Sequence, residues 1–183
     1  DQPRIQELDI NPMLVTPTEV IALDGRVIVD PSVDDAALPY SHLAIRPYPE
    51  QYVKKAIDEQ GHAVTLRPIK PEDEPMWHEL LTSCSEDSIR ARFFSLIREF
   101  THESATRYCY IDYDREMSIV AELEIDGERK LAGVGRLVGD PDRISAEYAV
   151  LIGDAFQNLG LGRDLTAFCM EIADTWGLKR IYA

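Results

Sequence analysis

The chain has 183 residues and a formal net charge of −14, and 45% of its residues are hydrophobic. This length suits one larger domain, or one ordinary domain with an appendage, and the hydrophobic fraction is sufficient to build a core. The acidic balance argues against a nucleic-acid partner, because nucleic acids attract clustered lysine and arginine.

The three cysteines are widely spaced and odd in number, which favours free buried thiols in a reducing cytosol over disulfides or a metal site. No hydrophobic run approaches the roughly 18 residues of a membrane span, and no signal-like segment opens the chain. We therefore expect a cytoplasmic protein with no membrane partner. Since the first residue is Asp1 and not Met, we also expect the chain to be part of a longer protein.

Residues 1–30 have the composition of short strands separated by turn-forming pairs. These predicted strands cover residues 5–10, 13–15, 20–23 and 26–29. Residues 31–50 combine acidic residues with Asp-Pro, Pro-Tyr and Tyr-Pro steps, as linkers do. The remaining domain would then occupy residues 51–183.

The first part of that domain alternates strands and helices. Two strands at 51–56 and 63–67 suggest a hairpin, and Pro71 opens a predicted helix. A second helix is predicted over residues 85–97 with Ser85 as its N-cap, whereas residues 104–111 are ambiguous. Alternating strands at 117–125 and 130–138 flank Asp126-Gly127, a strong hairpin signal.

The most informative pattern lies between residues 144 and 176. A buried strand over 144–152 is followed by Gln157-Asn-Leu-Gly160-Leu-Gly162 and then by a helix with one apolar face. Such a turn directs unpaired backbone N–H groups and the positive end of a helix dipole at one point, where a phosphate could bind. The glycine spacing fits neither the dinucleotide-binding fingerprint nor the P-loop. The alternative is a plain tight connection between strand and helix.

The segment Gln157–Gly162 resembles the acyl-coenzyme A pyrophosphate loop of GNAT-type N-acetyltransferases, Gln/Arg-x-x-Gly-x-Gly/Ala. Residues 65–73, 88–94 and 110–121 resemble one subgroup of that family, the bacterial protein lysine acetyltransferases in which a GNAT domain follows an ADP-forming acyl-CoA synthetase. The resemblance implies an α/β architecture, an α+β mixed sheet with the GNAT acyl-CoA N-acyltransferase fold. It also implies that the domain is truncated at its C-terminus, within its fifth strand.

The N-terminal residues resemble the end of the ATP-grasp domain of those synthetases, and residues 42–49 resemble the segment that bridges the two domains. The implied organisation is an ATP-grasp remnant at 1–30, a linker at 31–50 and a GNAT domain at 51–183. In the family, the residues matching Asn11 and Asp24 would help hold Mg²⁺. Two oxygen ligands without nucleotide phosphates make a poor magnesium site, so we expect no metal here.

The resemblance further implies acetyl-CoA as co-substrate, bound along the strand and the turn. Backbone groups of Ala149, Val150, Leu151 and Ile152 would pair with the pantetheine amides like an additional strand. Main-chain N–H groups would hold the pyrophosphate, with Arg163 adding charge, although Arg163 could equally be a solvated first-turn residue. These pyrophosphate-binding residues are Gln157, Leu159, Gly160, Leu161, Gly162 and Arg163.

Acetyl transfer to lysine requires a neutral amine, and the lysine pKa lies about 3.4 units above neutral pH, a cost of roughly 4.6 kcal/mol. Glu147 is the candidate general base, because it lies ten residues before Gln157, the spacing seen for catalytic glutamates in lysine-acetylating GNAT enzymes. The alternative is a charged residue on a solvated strand face. Tyr148 would point to the opposite face and pack in the core.

The predicted function is acetyl transfer from acetyl-CoA to the ε-amine of a protein lysine, for instance on an acyl-CoA synthetase. One alternative is a non-catalytic acetyl-CoA-sensing module, and another is the tail of a synthetase whose ATP-dependent activity lies upstream. An uncovered fifth strand would be an exposed edge, which predicts weak binding, poor activity and self-association through that edge.

Overall fold

The structure, a computed structural model, describes residues 4–32, 47–93 and 101–183. The chain divides into two units, Asp1–Pro47 and Tyr48–Ala183. Most of the predicted linker, residues 33–46, lies outside the described residues, and the assignment of the three predicted segments stays a prediction.

The first unit contains two short antiparallel strand pairs. β1 (Ile5–Asp9) pairs with β4 (Arg26–Val29), and β2 (Met13–Val15) pairs with β3 (Val20–Ala22), so the four predicted strands are confirmed. Asn11 and Asp24 lie in the connections between strands. Among the described residues, no three His, Cys, Asp or Glu side chains lie close enough together to hold a metal ion. The resemblance of this unit to an ATP-grasp domain stays a prediction.

The second unit is built on a six-stranded mixed sheet with the order β10-β9-β8-β7-β6-β5. Its strands are β5 (Lys54–Ile57), β6 (Ala63–Pro68), β7 (Glu116–Ile125), β8 (Glu128–Gly139), β9 (Ser145–Ile152) and β10 (Arg180–Tyr182). Neighbouring strands are antiparallel except β9 and β10, which are parallel. The predicted mixed sheet is confirmed, but the strand predicted from residue 51 is wrong at its start, because Glu50–Tyr52 form a 3₁₀ turn.

Both faces of this sheet are covered by helices. The described residues form four α-helices: α1 (Glu74–Ser83), α2 (Glu86–Phe93), α3 (His102–Cys109) and α4 (Leu161–Thr175). Buried residues of α1, α2 and α3 form one hydrophobic cluster with the sheet, and those of α4 form the other. None of the described helices is long and apolar enough to cross a membrane.

Side-chain caps explain where two of these helices begin. The Ser85 hydroxyl accepts a hydrogen bond from the Ser88 N–H at 3.3 Å, as predicted for the start of α2. The predicted end of this helix, at residue 97, lies outside the described residues. The ambiguous segment at 104–111 belongs mainly to α3, whose N-cap Thr101 accepts a hydrogen bond from the Ser104 N–H at 3.2 Å.

A buried charged network ties the entry to α1 to the sheet. The Arg67 guanidinium on β6 contacts Asp73 at 2.6 Å and Glu122 on β7 at 2.6 Å, and only 10% of the arginine side chain is exposed. Because both carboxylates lie in the same poorly solvated space, Arg67 is their required counter-charge. The network fixes the helical layer on the sheet face that also carries the site described below.

Candidate active site

The connection between β9 and α4 forms a turn with left-handed backbone at its tip. A 3₁₀ turn at Asp154–Phe156 follows β9, and Gly160 then serves as the N-cap of α4 with φ +80°. Asn158 also has a positive φ, of 61°. Glycine adopts this conformation without the steric penalty of a Cβ atom, which lets the chain reverse sharply into the helix.

The turn presents a row of unused backbone donors. In the described parts of the chain, none of the backbone N–H groups of residues 158–163 donates a hydrogen bond to a protein acceptor. By contrast, the Gly160 and Gly162 carbonyls accept bonds from the Asp164 N–H and the Thr166 hydroxyl, at 3.1 and 2.7 Å. Free N–H groups and the helix dipole together favour an anion at this point.

Two predicted ligand-binding side chains already have protein partners. The Gln157 amide nitrogen lies 3.3 Å from an oxygen of Asp154, whose carboxylate also accepts bonds from Ser85 and Ser88 at the start of α2. Arg163 contacts Asp164 at 3.2 Å and lies 3.7 Å from a carboxylate oxygen of Glu59. The turn is thereby tied to α2 on one side and to the β5–β6 connection on the other.

Glu59 is a neighbour of the turn that sequence reasoning missed. Its N–H donates to the Leu159 carbonyl at 3.2 Å, and a Cβ placed on Gly160 would lie 3.0 Å from its carboxylate oxygen. The contact joins residues about one hundred positions apart, and no local pattern signals it. A negative charge therefore lies beside Arg163.

One edge of β9 is open beyond its first residues. Along one side, β9 pairs with β8 from Ala146 to Ile152, whereas on the other side β10 pairs only with Ser145, Ala146 and Glu147. In the described residues, the outer edge of β9 from Tyr148 to Ile152 thus has no strand partner. All four predicted pantetheine-binding residues lie on this edge: Ala149, Val150, Leu151 and Ile152.

Glu147 and Tyr148 face opposite sides of the sheet, as period-two alternation requires. Tyr148 is buried and its hydroxyl lies 2.9 Å from that of Thr166 on α4, so its predicted packing role is confirmed. Glu147 is exposed and lines a cavity of about 300 Å³ on the face covered by α2 and α3. The other lining residues are Arg92, Arg107, Tyr108, Glu116, Arg136, Val138 and Ala149. Because Ala149 belongs to both features, the cavity adjoins the open edge of β9.

Residues 75–183 match the model of the acetyltransferase (GNAT) family, which covers more than half of the chain. The chain belongs to the GNAT acetyltransferase family. Members of this family use acetyl-CoA, so the predicted co-substrate is confirmed.

Relatives of this GNAT domain agree with the assignment. The chain is 28% identical over 125 residues to acetyltransferase PA5475 of Pseudomonas aeruginosa, a match covering 68% of this chain and 67% of that protein. The structure resembles the GNAT domain of S. lividans PAT, with a TM-score of 0.65, 22% identity, and coverage of 74% of this chain and 79% of that one. An acetyltransferase of the GNAT family from Streptococcus pneumoniae gives a TM-score of 0.50 and 23% identity, covering 63% and 70%. At such identities the two structures establish a shared fold, not a shared substrate.

The predictions for this GNAT domain are therefore confirmed at the level of fold, family and acyl donor. The lysine acceptor, the role of Glu147, the individual ligand-binding residues and the link to an acyl-CoA synthetase stay predictions. Sequence reasoning also missed the arginine-rich lining of the cavity, because its members come from separate elements and share no spacing along the chain.

Proposed function

We propose that this GNAT domain transfers an acetyl group from acetyl-CoA to the ε-amine of a protein lysine, with Glu147 as the general base. The observation that supports it best is the position of Glu147 relative to Ala149. The two residues are two positions apart on β9, so their side chains share a face, and both line the same cavity. A thioester held along the open edge of β9 would end beside the Glu147 carboxylate.

The donor would be held by backbone groups along its length. The pantetheine amides would pair with alternate backbone groups of Ala149 to Ile152, in the manner of an added strand. The pyrophosphate would accept hydrogen bonds from the unpaired N–H groups of residues 158–163. Arg163 can turn from Glu59 toward the phosphates at little cost, because this ion pair is largely exposed, at 72% and 56% of the two side chains.

The reaction step then needs only one proton acceptor near the amine. Glu147 takes a proton from the lysine ammonium, directly or through one water molecule, so that the amine is neutral when it attacks; neutralising lysine at pH 7 costs roughly 4.6 kcal/mol. The neutral nitrogen attacks the thioester carbonyl carbon, the carbon–sulfur bond breaks, and the leaving coenzyme A thiolate takes up the proton that the nitrogen loses as the amide forms. Glu147 then releases its proton to solvent. The products are an acetylated lysine and coenzyme A.

Glu147→Gln tests this assignment, because it keeps the size and polarity of the side chain but removes the base. We expect kcat for a lysine acceptor to fall about 10²–10⁴-fold, the usual contribution of general base catalysis. The Kd for acetyl-CoA, measured by calorimetry, should stay unchanged. Glu124→Gln, at an exposed position on β7, is the matched control and should retain full activity.

The outcomes separate the competing interpretations. Full turnover by Glu147→Gln would show that another group removes the proton. Tight binding of acetyl-CoA by the wild-type protein without transfer to any lysine acceptor, including an acyl-CoA synthetase, would favour the sensing module.

A further inference from the structure

The cavity beside Glu147 is positively charged, although the chain as a whole carries a net charge of −14. Its lining contains three arginines, Arg92, Arg107 and Arg136, against two glutamates, Glu116 and Glu147. This surplus of positive charge lies where the proposed acceptor would enter, so it affects which acceptors can bind.

One of the three arginines is already neutralised. Arg136 on β8 donates to Glu116 at 2.6 Å, and its guanidinium lies 4.8 Å from the centre of the Tyr108 ring. Only 13% of its side chain is exposed, and its Nε is a buried donor without a partner in the described residues. Arg136 therefore forms a fixed wall of the cavity, with its charge compensated by Glu116.

Arg92 and Arg107 are not compensated in this way. Among the described residues, neither guanidinium forms an ion pair with a carboxylate, although the charge of Glu147 attracts Arg92 across the cavity. Arg92, on α2, is partly buried, and this burial lowers its pKa from the ordinary arginine value. Arg107, on α3, is exposed. A partly desolvated guanidinium without an ion-pair partner favours binding of an anion, and its planar fork of donors matches a carboxylate.

We propose that the acceptor lysine is flanked by an acidic residue, whose carboxylate binds Arg92 and Arg107 while the lysine amine reaches Glu147. This inference rests on the proposed function. A lysine ammonium entering alone would be repelled by these two arginines, which have no ion-pair partner among the described residues. An acidic neighbour removes that repulsion and places the amine beside Glu147. The arrangement makes Arg92 and Arg107 specificity-determining residues that contact the acceptor and not the donor.

The experiment compares two acceptor peptides that differ only beside one lysine, where one has aspartate and the other has asparagine. For the wild-type protein we expect kcat/KM to be about tenfold higher for the aspartate peptide. The difference should lie mainly in KM, because one charge-assisted hydrogen bond strengthens binding by about this factor. Arg92→Gln and Arg107→Gln should bring this ratio close to one. Arg90→Gln, at an exposed position on the same helix but outside the cavity, should keep the tenfold ratio.

A charge reversal provides a second, independent measurement. Since Arg107 is exposed, the Arg107→Glu variant should fold normally. A third peptide has a lysine in place of the aspartate beside the acceptor lysine, and this variant should acetylate it with a higher kcat/KM than the aspartate peptide. Equal kcat/KM for the aspartate and asparagine peptides with the wild-type protein would overturn this inference and leave the proposed function intact. If no lysine-bearing peptide or protein is acetylated while acetyl-CoA binds, the proposed function itself is wrong.

Discussion

Replacing Gly160 by alanine tests the pyrophosphate site directly, because the substitution keeps every backbone N–H group of the turn. Gly160 has φ +80°, a conformation in which an L-alanine costs about 1–2 kcal/mol. The added Cβ would lie 3.0 Å from Glu59 Oε1 and 3.1 Å from an Arg163 nitrogen. Both atoms end flexible side chains and can move away, so steric crowding adds little to the loss of stability.

The effect on binding should be larger than the effect on folding. The methyl group projects toward Glu59 and Arg163, beside the proposed phosphate site, so it would hold the phosphates farther from the N–H groups. Losing one hydrogen bond to a charged group, worth about 1.5–3 kcal/mol, weakens binding tenfold or more. We therefore expect the Kd for acetyl-CoA to rise at least tenfold, with a change in melting temperature of only a few degrees, about 2–4 °C per kcal/mol.

Gly127→Ala is the matched control. Gly127 has φ +81° in the β7–β8 hairpin, and a Cβ there would meet no atom within 4 Å. Gly127→Ala introduces the same backbone strain as Gly160→Ala, so thermal unfolding should show a similar loss of stability for both variants. Only Gly160→Ala should lose affinity in calorimetric titrations with acetyl-CoA.

The choice of ligand sharpens the test. Acetyl-pantetheine lacks the pyrophosphate, so its affinity should be the same for the wild-type protein and for Gly160→Ala. If Gly160→Ala binds acetyl-CoA as tightly as Gly127→Ala does, the phosphates do not lie on this turn, and the assignment of the donor site is refuted.

Three further predictions concern stability and assembly. Arg67→Met leaves two buried carboxylates without a counter-charge, so urea denaturation should show that the free energy of unfolding falls by about 3–5 kcal/mol. Arg129→Met, at an exposed partner of the same network, should lower it by less than about 1 kcal/mol. Equal losses would contradict the role of the network. Burial raises the pKa of the Cys109 and Cys169 thiols to about 12 from an ordinary value of 9. Above pH 9 the unfolded chain therefore releases thiol protons that the folded chain keeps, so the free energy of unfolding should fall as the pH rises, and Cys169→Ala should make this fall shallower. Finally, β10 lies at the edge of the described sheet, so light scattering should show an average mass that rises with concentration, and a monomer at every concentration would count against association through this edge.

Much of the fold could be predicted because its signals are local. The Asp126-Gly127 pair predicts a hairpin, and the structure has positive φ angles at both residues, 54° and 81°. The alternation of apolar residues along β9 likewise predicts that Glu147 and Tyr148 face opposite sides. Each signal depends only on the preferences of neighbouring residues.

The failures of prediction also have physical causes. α3 is short and polar, and its buried face is reduced to Ala105 and Cys109, so periodicity alone could not separate it from a strand or a loop. The early start predicted for β5 reflects the same ambiguity, because Gln51 and Tyr52, which precede the strand, belong to a 3₁₀ turn.

By itself, the sequence determined the strand, the glycine turn and the helix that could hold a phosphorylated donor, since backbone conformation follows from which residues adjoin one another. Only the tertiary structure decided what surrounds the reacting groups. Sheet register and helix packing bring Arg92, Arg107 and Arg136 to the cavity of Glu147, and place Glu59 against Gly160. Those side chains are distant along the chain, and their charges act on one another only through the space that the fold encloses.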